Sequence, residues 1–297
     1  MIHRTGKTAK DCKQNEGTVI LTVVSQISPA DAAGLIDALT AIVARASALI
    51  CNFSSETVGR QLKPDQSPVT VADEASEAAI LEGLAKLMPG VPVVSEEKSG
   101  REAAPALGGS FLMVDPLDGT KEFLAGRDEF TVNVAIVAGR TPIAGIIAAP
   151  KRGLVWRGIV GRGAERLRLL ANGADSAQAI RTRRWPAQGG VVVVSRSHLD
   201  ADTEAFVARL GPVTREPSGS AIKFCQVADA SADVYPRLAT TCEWDVAAGH
   251  ALIAAAGGIV TDAQGEHLTF GHVERDFRIP AFVAWGDPEK AAGLSAR

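Results

Sequence analysis

Cysteine is scarce in this chain, and the scarcity excludes two readings at once. Cys12, Cys51, Cys225 and Cys242 share no Cys-x-x-Cys spacing across 297 residues, so neither a zinc site nor a disulfide framework is indicated, and a reducing cytoplasm fits best. Basic residues are not in excess either. A net charge of -3 and a pI near 6.0 exclude a general binder of nucleic-acid polymers on electrostatic grounds, so any anion must be met locally. No apolar stretch approaches the roughly 20 residues that cross a bilayer. His3, Arg4, Lys7, Lys10 and Lys13 precede a short apolar run over 19–24, but Asp11 and Glu16 interrupt the basic region and no Ala-x-Ala site follows. A secretory leader is therefore not expected. Repeats and low-complexity tracts are lacking, and aromatics make up only 5%. What is present is a 46% hydrophobic composition, enough to bury a large core in one big α/β domain or two smaller ones.

Ser28-Pro29-Ala30-Asp31 reads as a helix start, with Leu35, Ile36, Leu39, Ile42, Val43, Ala46, Leu49 and Ile50 recurring at helical spacing. A second helix follows Thr70 and ends at Pro89-Gly90, so two helices are expected before any strand. Short strands are expected over 91–94 and 111–114, then antiparallel strands over 130–138, 141–148 and 154–157, with Gly139-Arg140 as a hairpin turn. Residues 161–188 are rich in Arg, Ala and Gly with little periodicity, and a soft domain boundary is placed there. Beyond it the rhythm changes to a buried-type strand over 191–194, helices over 203–210 and 221–228, a helix over 246–256 closed by Gly257-Gly258, and a strand over 259–261.

The most informative hexapeptide is Asp115-Pro116-Leu117-Asp118-Gly119-Thr120. It reads as an apolar strand stopping in two acids, with Pro116 ending the ladder and Gly119 allowing a sharp turn, so that both carboxylates aim at one point. Asp-Pro and Asp-Gly are also ordinary turn signals, and a plain turn is the competing reading. Two more acidic clusters weigh against it. Ser95-Glu96-Glu97 ends another apolar run, and Glu243-Trp244-Asp245 precedes an Ala-rich helix with Asp245 at the expected N-cap. Glu96, Asp115, Asp118 and Asp245 are all carboxylate, with no His or Cys interleaved, which favours Mg2+ over Zn2+. Without a cation such charges repel by about 4 kcal/mol per pair 4 Å apart at an effective dielectric of 20. Paired Mg2+ ions suit phosphate ester hydrolysis. Thr120 and Asp73 are candidates for removing a proton from the attacking water; a helix cap or turn hydroxyl is the alternative for Thr120, and a cap with Thr70 the alternative for Asp73. Ser195 to His198, Ser218-Gly219-Ser220 with Lys223 on the helix it opens, and Tyr235-Pro236-Arg237 suggest a substrate with a second anionic group, met by free backbone N–H groups at a Gly-containing helix start.

In order along the chain, Ser67-Pro68-Val69-Thr70-Val71-Ala72-Asp73, Ser95-Glu96-Glu97, Asp115-Pro116-Leu117-Asp118-Gly119-Thr120-Lys121-Glu122-Phe123, Ser195-Arg196-Ser197-His198 and Trp244-Asp245-Val246-Ala247-Ala248-Gly249-His250 form a specific set. From about residue 28 to 285 the chain resembles the Mg2+-dependent, lithium-sensitive phosphatases of the inositol monophosphatase superfamily, and within it the 3′(2′),5′-bisphosphate nucleotidases of the CysQ type. The resemblance implies an α/β fold layered as an αβαβα sandwich and two or three Mg2+ ions. It implies that Glu96, Asp115, Asp118 and Asp245 ligate metal with the Leu117 carbonyl, and that Thr120 and Asp73 orient and deprotonate water, Glu96 completing the catalytic set. Glu96, Leu117, Asp118, Gly119, Thr120 and Asp245, with Ser195, His198, Gly219, Ser220 and Lys223, would contact substrate, Lys223 near the phosphate that is not cleaved. Lys121-Glu122-Phe123 looks like the nucleotidase branch.

The expectation is hydrolysis of the 3′-phosphate of adenosine 3′,5′-bisphosphate, with action on its sulfated form also in view. Two alternatives stand beside it: an inositol or sugar monophosphatase on the same scaffold, and a nucleotide-binding sensor that does no chemistry. The expected organisation is an extension over 1–28, an α+β unit over 29–180 carrying most metal ligands, and an α/β unit over 181–297 carrying Asp245 and substrate contacts. The expected partner is a small phosphorylated nucleotide. Monomer or homodimer, free in the cytoplasm or resting on the inner membrane surface, are left open.

Overall fold

The computed structural model describes residues 26–54, 58–62, 68–99, 105–197 and 199–295. The expectations for most of the amino-terminal extension, for Ser67 at the head of its motif and for His198 lie outside the described residues. Ser28 caps α1 (Pro29–Cys51) through a capping box with Asp31, whose carboxylate takes the Ser28 N–H at 2.9 Å. Thr70 caps α2 (Val71–Leu87) in the same way. Between them β1 (Arg60–Leu62) and β2 (Pro68–Thr70) pair antiparallel, which corrects the expectation that two helices precede any strand. Three-residue strands are too short to show a period.

A seven-stranded sheet follows in simple order, from β3 (Val93–Ser95) and β4 (Ser110–Asp118) through β5 (Thr131–Ala138), β6 (Thr141–Ala149), β7 (Leu154–Ile159), β8 (Gly163–Leu170) and β9 (Gly173–Ile180). Only β3 and β4 run parallel; every other neighbour is antiparallel. The short helix α3 (Thr120–Leu124) lies between β4 and β5. β8 and β9 occupy the stretch whose pattern suggested no strands. They form the sheet's outer end, where polar cross-strand pairs such as Arg168 on Asp175 replace apolar alternation.

The second sheet has the order β11-β10-β12-β16-β14, from β10 (Gly190–Ser195), β11 (Val213–Ser218), β12 (Val234–Arg237), β14 (Ile259–Thr261) and β16 (Phe282–Trp285). β13 (Thr241–Cys242) and β15 (Arg278–Ile279) form a separate pair. The helices are α4 (Ala201–Arg209), α5 (Ile222–Ala228), α6 (Glu243–Ala256) and α7 (Pro288–Ser295).

Three apolar clusters define the layers. Leu39, Ile42, Ile80 and Leu84 of α1 and α2 pack on Leu112, Val114, Val132 and Val134 of the first sheet. The alternate residues Phe111, Met113, Ala135 and Val137 face the other way, toward Phe224, Leu252 and Phe282. Being covered on both faces, these strands read as continuous apolar runs. Val207 and Ala291 of α4 and α7 close the far side of the second sheet against Val192 and Val283. The order is helices, sheet, helices, sheet, helices, the expected αβαβα sandwich. By length and composition alone α1 would cross a bilayer, contrary to the expectation that no stretch does; half of its most apolar window is buried in the first cluster. α6 lies so close to the first sheet that a Cβ on Gly145 would stand 2.2 Å from the Ala248 carbonyl oxygen.

Candidate active site

β4 runs past Pro116 to Asp118, so proline does not end the strand. Asp115 pairs with Asn133 and Asp118 with Thr131, three residues against two, which is a β-bulge. In a regular strand residues three apart face opposite sides; the extra residue in the bulge returns Asp118 to the side of Asp115. The bulge is anchored by Leu117 N–H on Asp115 Oδ1 at 3.1 Å and by Ser76 Oγ–H on the Pro116 carbonyl at 2.7 Å. Glu96 arrives from the neighbouring parallel strand, its N–H continuing the ladder to Val114 at 3.2 Å. Asp245 arrives on the first turn of α6. Its position is N3 and not the N-cap, which is Cys242; its carboxylate accepts from the Cys242 N–H at 3.2 Å and from the Thr241 hydroxyl.

These elements bring one carboxylate oxygen from each of Glu96, Asp115 and Asp245 to within 4.8 Å of one another. Asp118 stands beside the trio, with its Oδ2 accepting from Ser220 Oγ at 2.9 Å. Burial, then the neighbouring Glu96, Asp118 and Asp245 charges, push the Asp115 carboxyl well above the ordinary carboxylate range. Burial and Asp245 raise Asp118 to about 6, against an opposing pull from Lys223. Asp115 Oδ2 is buried with no hydrogen-bond partner among the described residues. An orphaned buried acceptor inside a ring of like charge fits a cation, and an all-oxygen donor set fits a hard one.

Thr120 is the first residue of α3, after Gly119 at φ 87°, a left-handed turn that glycine adopts without strain. Its hydroxyl lies 3.1 Å from Asp73 Oδ1 and 3.2 Å from the Leu117 carbonyl. Asp73 makes the helix cap and also faces Thr120. Its Oδ2 takes the Thr70 N–H at 2.8 Å and the Thr70 hydroxyl at 2.6 Å as a cap, while its Oδ1 faces Thr120.

In a cavity of about 340 Å³, Ser195, Gly219, Ser220 and Lys223 line the same space as Asp118 and Asp245. Lys223 is buried, donates to the Ser220 carbonyl at 2.6 Å and lies 5.0 Å from the Tyr235 ring centre. Burial pushes its ammonium down to about 8, against the attraction of Asp118. The expected free N–H at Gly219 is corrected: it donates to Glu129 Oε2 at 3.0 Å, and α5 begins only at Ile222. His198 cannot be placed among the described residues. Arg237, singled out in the sequence with Tyr235 and Pro236 as a group for a second anion, lines the cavity with a buried Nε that has no partner among the described residues. Sequence reasoning gave no role to Asn133, whose buried amide lies opposite Asp115. A polar residue inside an otherwise apolar strand was the available signal for Asn133.

Comparison with known proteins agrees with this geometry. The sequence model of the inositol monophosphatase family matches residues 31–290. The chain is 40% identical over 208 residues to the 3′(2′),5′-bisphosphate nucleotidase CysQ of Escherichia coli K12, covering 70% of this chain and 81% of that protein. The corresponding CysQ of Buchnera aphidicola is 34% identical over 217 residues, covering 73% and 79%. Among solved structures, CysQ from Bacteroides thetaiotaomicron, described as a bacterial member of the inositol monophosphatase family, superposes with a TM-score of 0.69 at 32% identity, covering 86% of this chain and 97% of that one. An inositol monophosphatase from Zymomonas mobilis, at 23% identity and a TM-score of 0.70 over 90% of this chain and 99% of that one, shares the fold. With its layered sandwich, its bulge-borne acids and a match across nearly all of its described length, the chain belongs to the inositol monophosphatase family.

Proposed function

We propose that this protein is a Mg2+-dependent 3′(2′),5′-bisphosphate nucleotidase, hydrolysing the 3′-phosphate of adenosine 3′,5′-bisphosphate to AMP and phosphate and acting also on the sulfated form of that nucleotide. The observation that carries the reading is the convergence of Glu96, Asp115 and Asp245 within 4.8 Å, in one cavity with Thr120 and Lys223. Glu96, Asp115, Asp118, Asp245 and the Leu117 carbonyl would hold the cations. Bound there, Mg2+ supplies Lewis acidity toward a phosphoryl oxygen and toward water.

The rest is the work of the chain's own groups. Thr120 has one hydroxyl proton, and Asp73 Oδ1 at 3.1 Å is a better acceptor for it than a neutral carbonyl. The lone pairs of Thr120 Oγ1 then face the cavity, where they orient the attacking water, and Asp73 receives the proton through the hydroxyl. Asp73 is itself held by the Thr70 cap, so the base is fixed before substrate arrives. Lys223 and Arg237 place positive charge in the same cavity, where a second phosphate would meet it. The nucleotidase names of the relatives and the Lys121-Glu122-Phe123 sequence support this substrate over inositol phosphates.

A substrate panel tests the reading. Adenosine 3′,5′-bisphosphate is expected to have a higher kcat/KM than inositol 1-phosphate, with inhibition by Li+ in the millimolar range. Faster turnover of the inositol ester would overturn it.

A further inference from the structure

The second sheet contributes to the cavity from the carboxyl ends of two adjacent parallel strands, β10 and β11, where Ser195 pairs in register with Ser218. Such strand ends are where α/β sheets hold ligands. In this protein both loops are fastened from outside their own sheet. Glu129, on the approach to β5, binds Arg196 through two bonds of 2.7 and 2.8 Å and takes the Gly219 N–H at 3.0 Å. Arg196 also donates to the Pro217 carbonyl at 2.8 Å, so one guanidinium spans both strand ends. Glu122 of α3 accepts from the Ser197 hydroxyl. The seam has no slack: a Cβ on Gly219 would lie 2.8 Å from both Glu122 Cγ and the Glu129 carbonyl oxygen.

We infer that Glu129 is a positioning residue for the substrate, which through Arg196 and Gly219 sets the wall that faces the part of a nucleotide away from the reacting phosphate. This rests on the nucleotidase reading above. Forked Arg–carboxylate pairs fix orientation as well as distance, which is what registering one sheet's loops on the other sheet's acids requires. What the clamp registers is visible in the same turn. Ser220 Oγ reaches Asp118 Oδ2 at 2.9 Å and Thr131 Oγ1 at 2.5 Å, while Lys223 holds the Ser220 carbonyl at 2.6 Å. Release of Glu129 frees the turn while leaving the acids anchored in the bulge by Leu117 and Ser76. The consequence falls on substrate choice. A shift of about 1 Å in a positioning group can cost on the order of 100-fold.

The test compares wild type, Glu129→Ala, Glu129→Gln, Arg196→Ala and the double alanine variant with two substrates in Mg2+: adenosine 3′,5′-bisphosphate, and p-nitrophenyl phosphate, which has one phosphate and no nucleoside. The ratio of the two kcat/KM values is expected to fall about tenfold in Glu129→Ala and in Arg196→Ala, mainly through KM for the bisphosphate. The double variant should be no worse than either single one. Glu129→Gln should lie between, because its amide oxygen still accepts from Gly219. A ratio constant within twofold overturns the inference, as does an equal loss on both substrates with a lower Tm, which would mark Glu129 as merely supporting the fold. If Glu129→Ala does not fold, Arg196→Ala decides, since that side chain is 33% exposed. A wild-type enzyme without preference for the bisphosphate would overturn the nucleotidase reading itself; a selective wild type with unaltered variants overturns this inference alone.

Discussion

Replacing Asp115 by Asn should make the metal-free protein more stable and the metal-loaded protein inactive. The magnitude follows from the geometry. At 4.8 Å, the limit of the Glu96, Asp115 and Asp245 grouping, each like-charge pair costs about 3.5 kcal/mol at an effective dielectric of 20. Proton uptake by Asp115, whose pKa is raised by burial and these same neighbours, relieves part of that cost in the metal-free state. A gain of about 1–3 kcal/mol is therefore expected in Asp115→Asn, or roughly 2–6 °C in Tm at about 2 °C per kcal/mol for a large domain. The Asn oxygen can still accept from the Leu117 N–H, so the bulge survives. With Mg2+ the order reverses. Cation at 100 times its Kd stabilises wild type by about 2.7 kcal/mol, near 5 °C, and the variant loses this shift with its turnover. Scanning calorimetry of both proteins, in EDTA and at saturating Mg2+, reads all four values. A variant less stable than wild type in EDTA that keeps the full Mg2+ shift would refute the reasoning.

Three further outcomes follow from the same coordinates. Asp115 and Asp118 have raised pKa values in the fold, Asp118 at about 6, so in EDTA-treated protein these two carboxyls contribute stability that is fully present below about pH 4 and lost as pH rises through 6; the difference between denaturation midpoints in Mg2+ and in EDTA, which cancels groups the metal does not touch, should therefore widen across that range. His250 is held neutral by burial, with a pKa near 4 against about 6.5 unfolded, so acidification from 6.5 to 4 should cost about 3 kcal/mol that is absent in His250→Gln, read as the difference between the two proteins' denaturation midpoints. Gly145→Ala puts a methyl group 2.2 Å from a helix carbonyl and should destabilise by about 2 kcal/mol or more while displacing α6, so Tm and kcat should fall together.

How legible the site was depended on whether a residue's role is local. The helix caps at Ser28 and Thr70 are fixed within four residues, and the sequence announced both. The αβαβα layering came from resemblance, because no local pattern reveals which strands lie in which sheet. The carboxylates were found by type and by their place at the ends of apolar runs, yet the device that aligns two of them was misread. A proline after Asp115 suggests a strand end, whereas anchoring by Ser76 and Leu117 turns the same residues into a bulge within a longer strand. Asp245 was displaced by three positions from the expected cap because Cys242, a residue with little capping signal, begins the helix. β8 and β9 escaped notice because Arg and Asp pairs stand where apolar alternation is sought. Glu129 gave no signal at all: its partners are 67 and 90 residues away, and only the meeting of two sheets creates its role.

The central claim is that separated acidic side chains form one cation-dependent centre for phosphate ester cleavage. Phosphate release from adenosine 3′,5′-bisphosphate by metal-stripped enzyme, before and after Mg2+ is restored, measures it directly. The account predicts no turnover without the ion, recovery on its addition, and no recovery in Asp245→Asn. Equal release with and without Mg2+, or full activity in that variant, would contradict it.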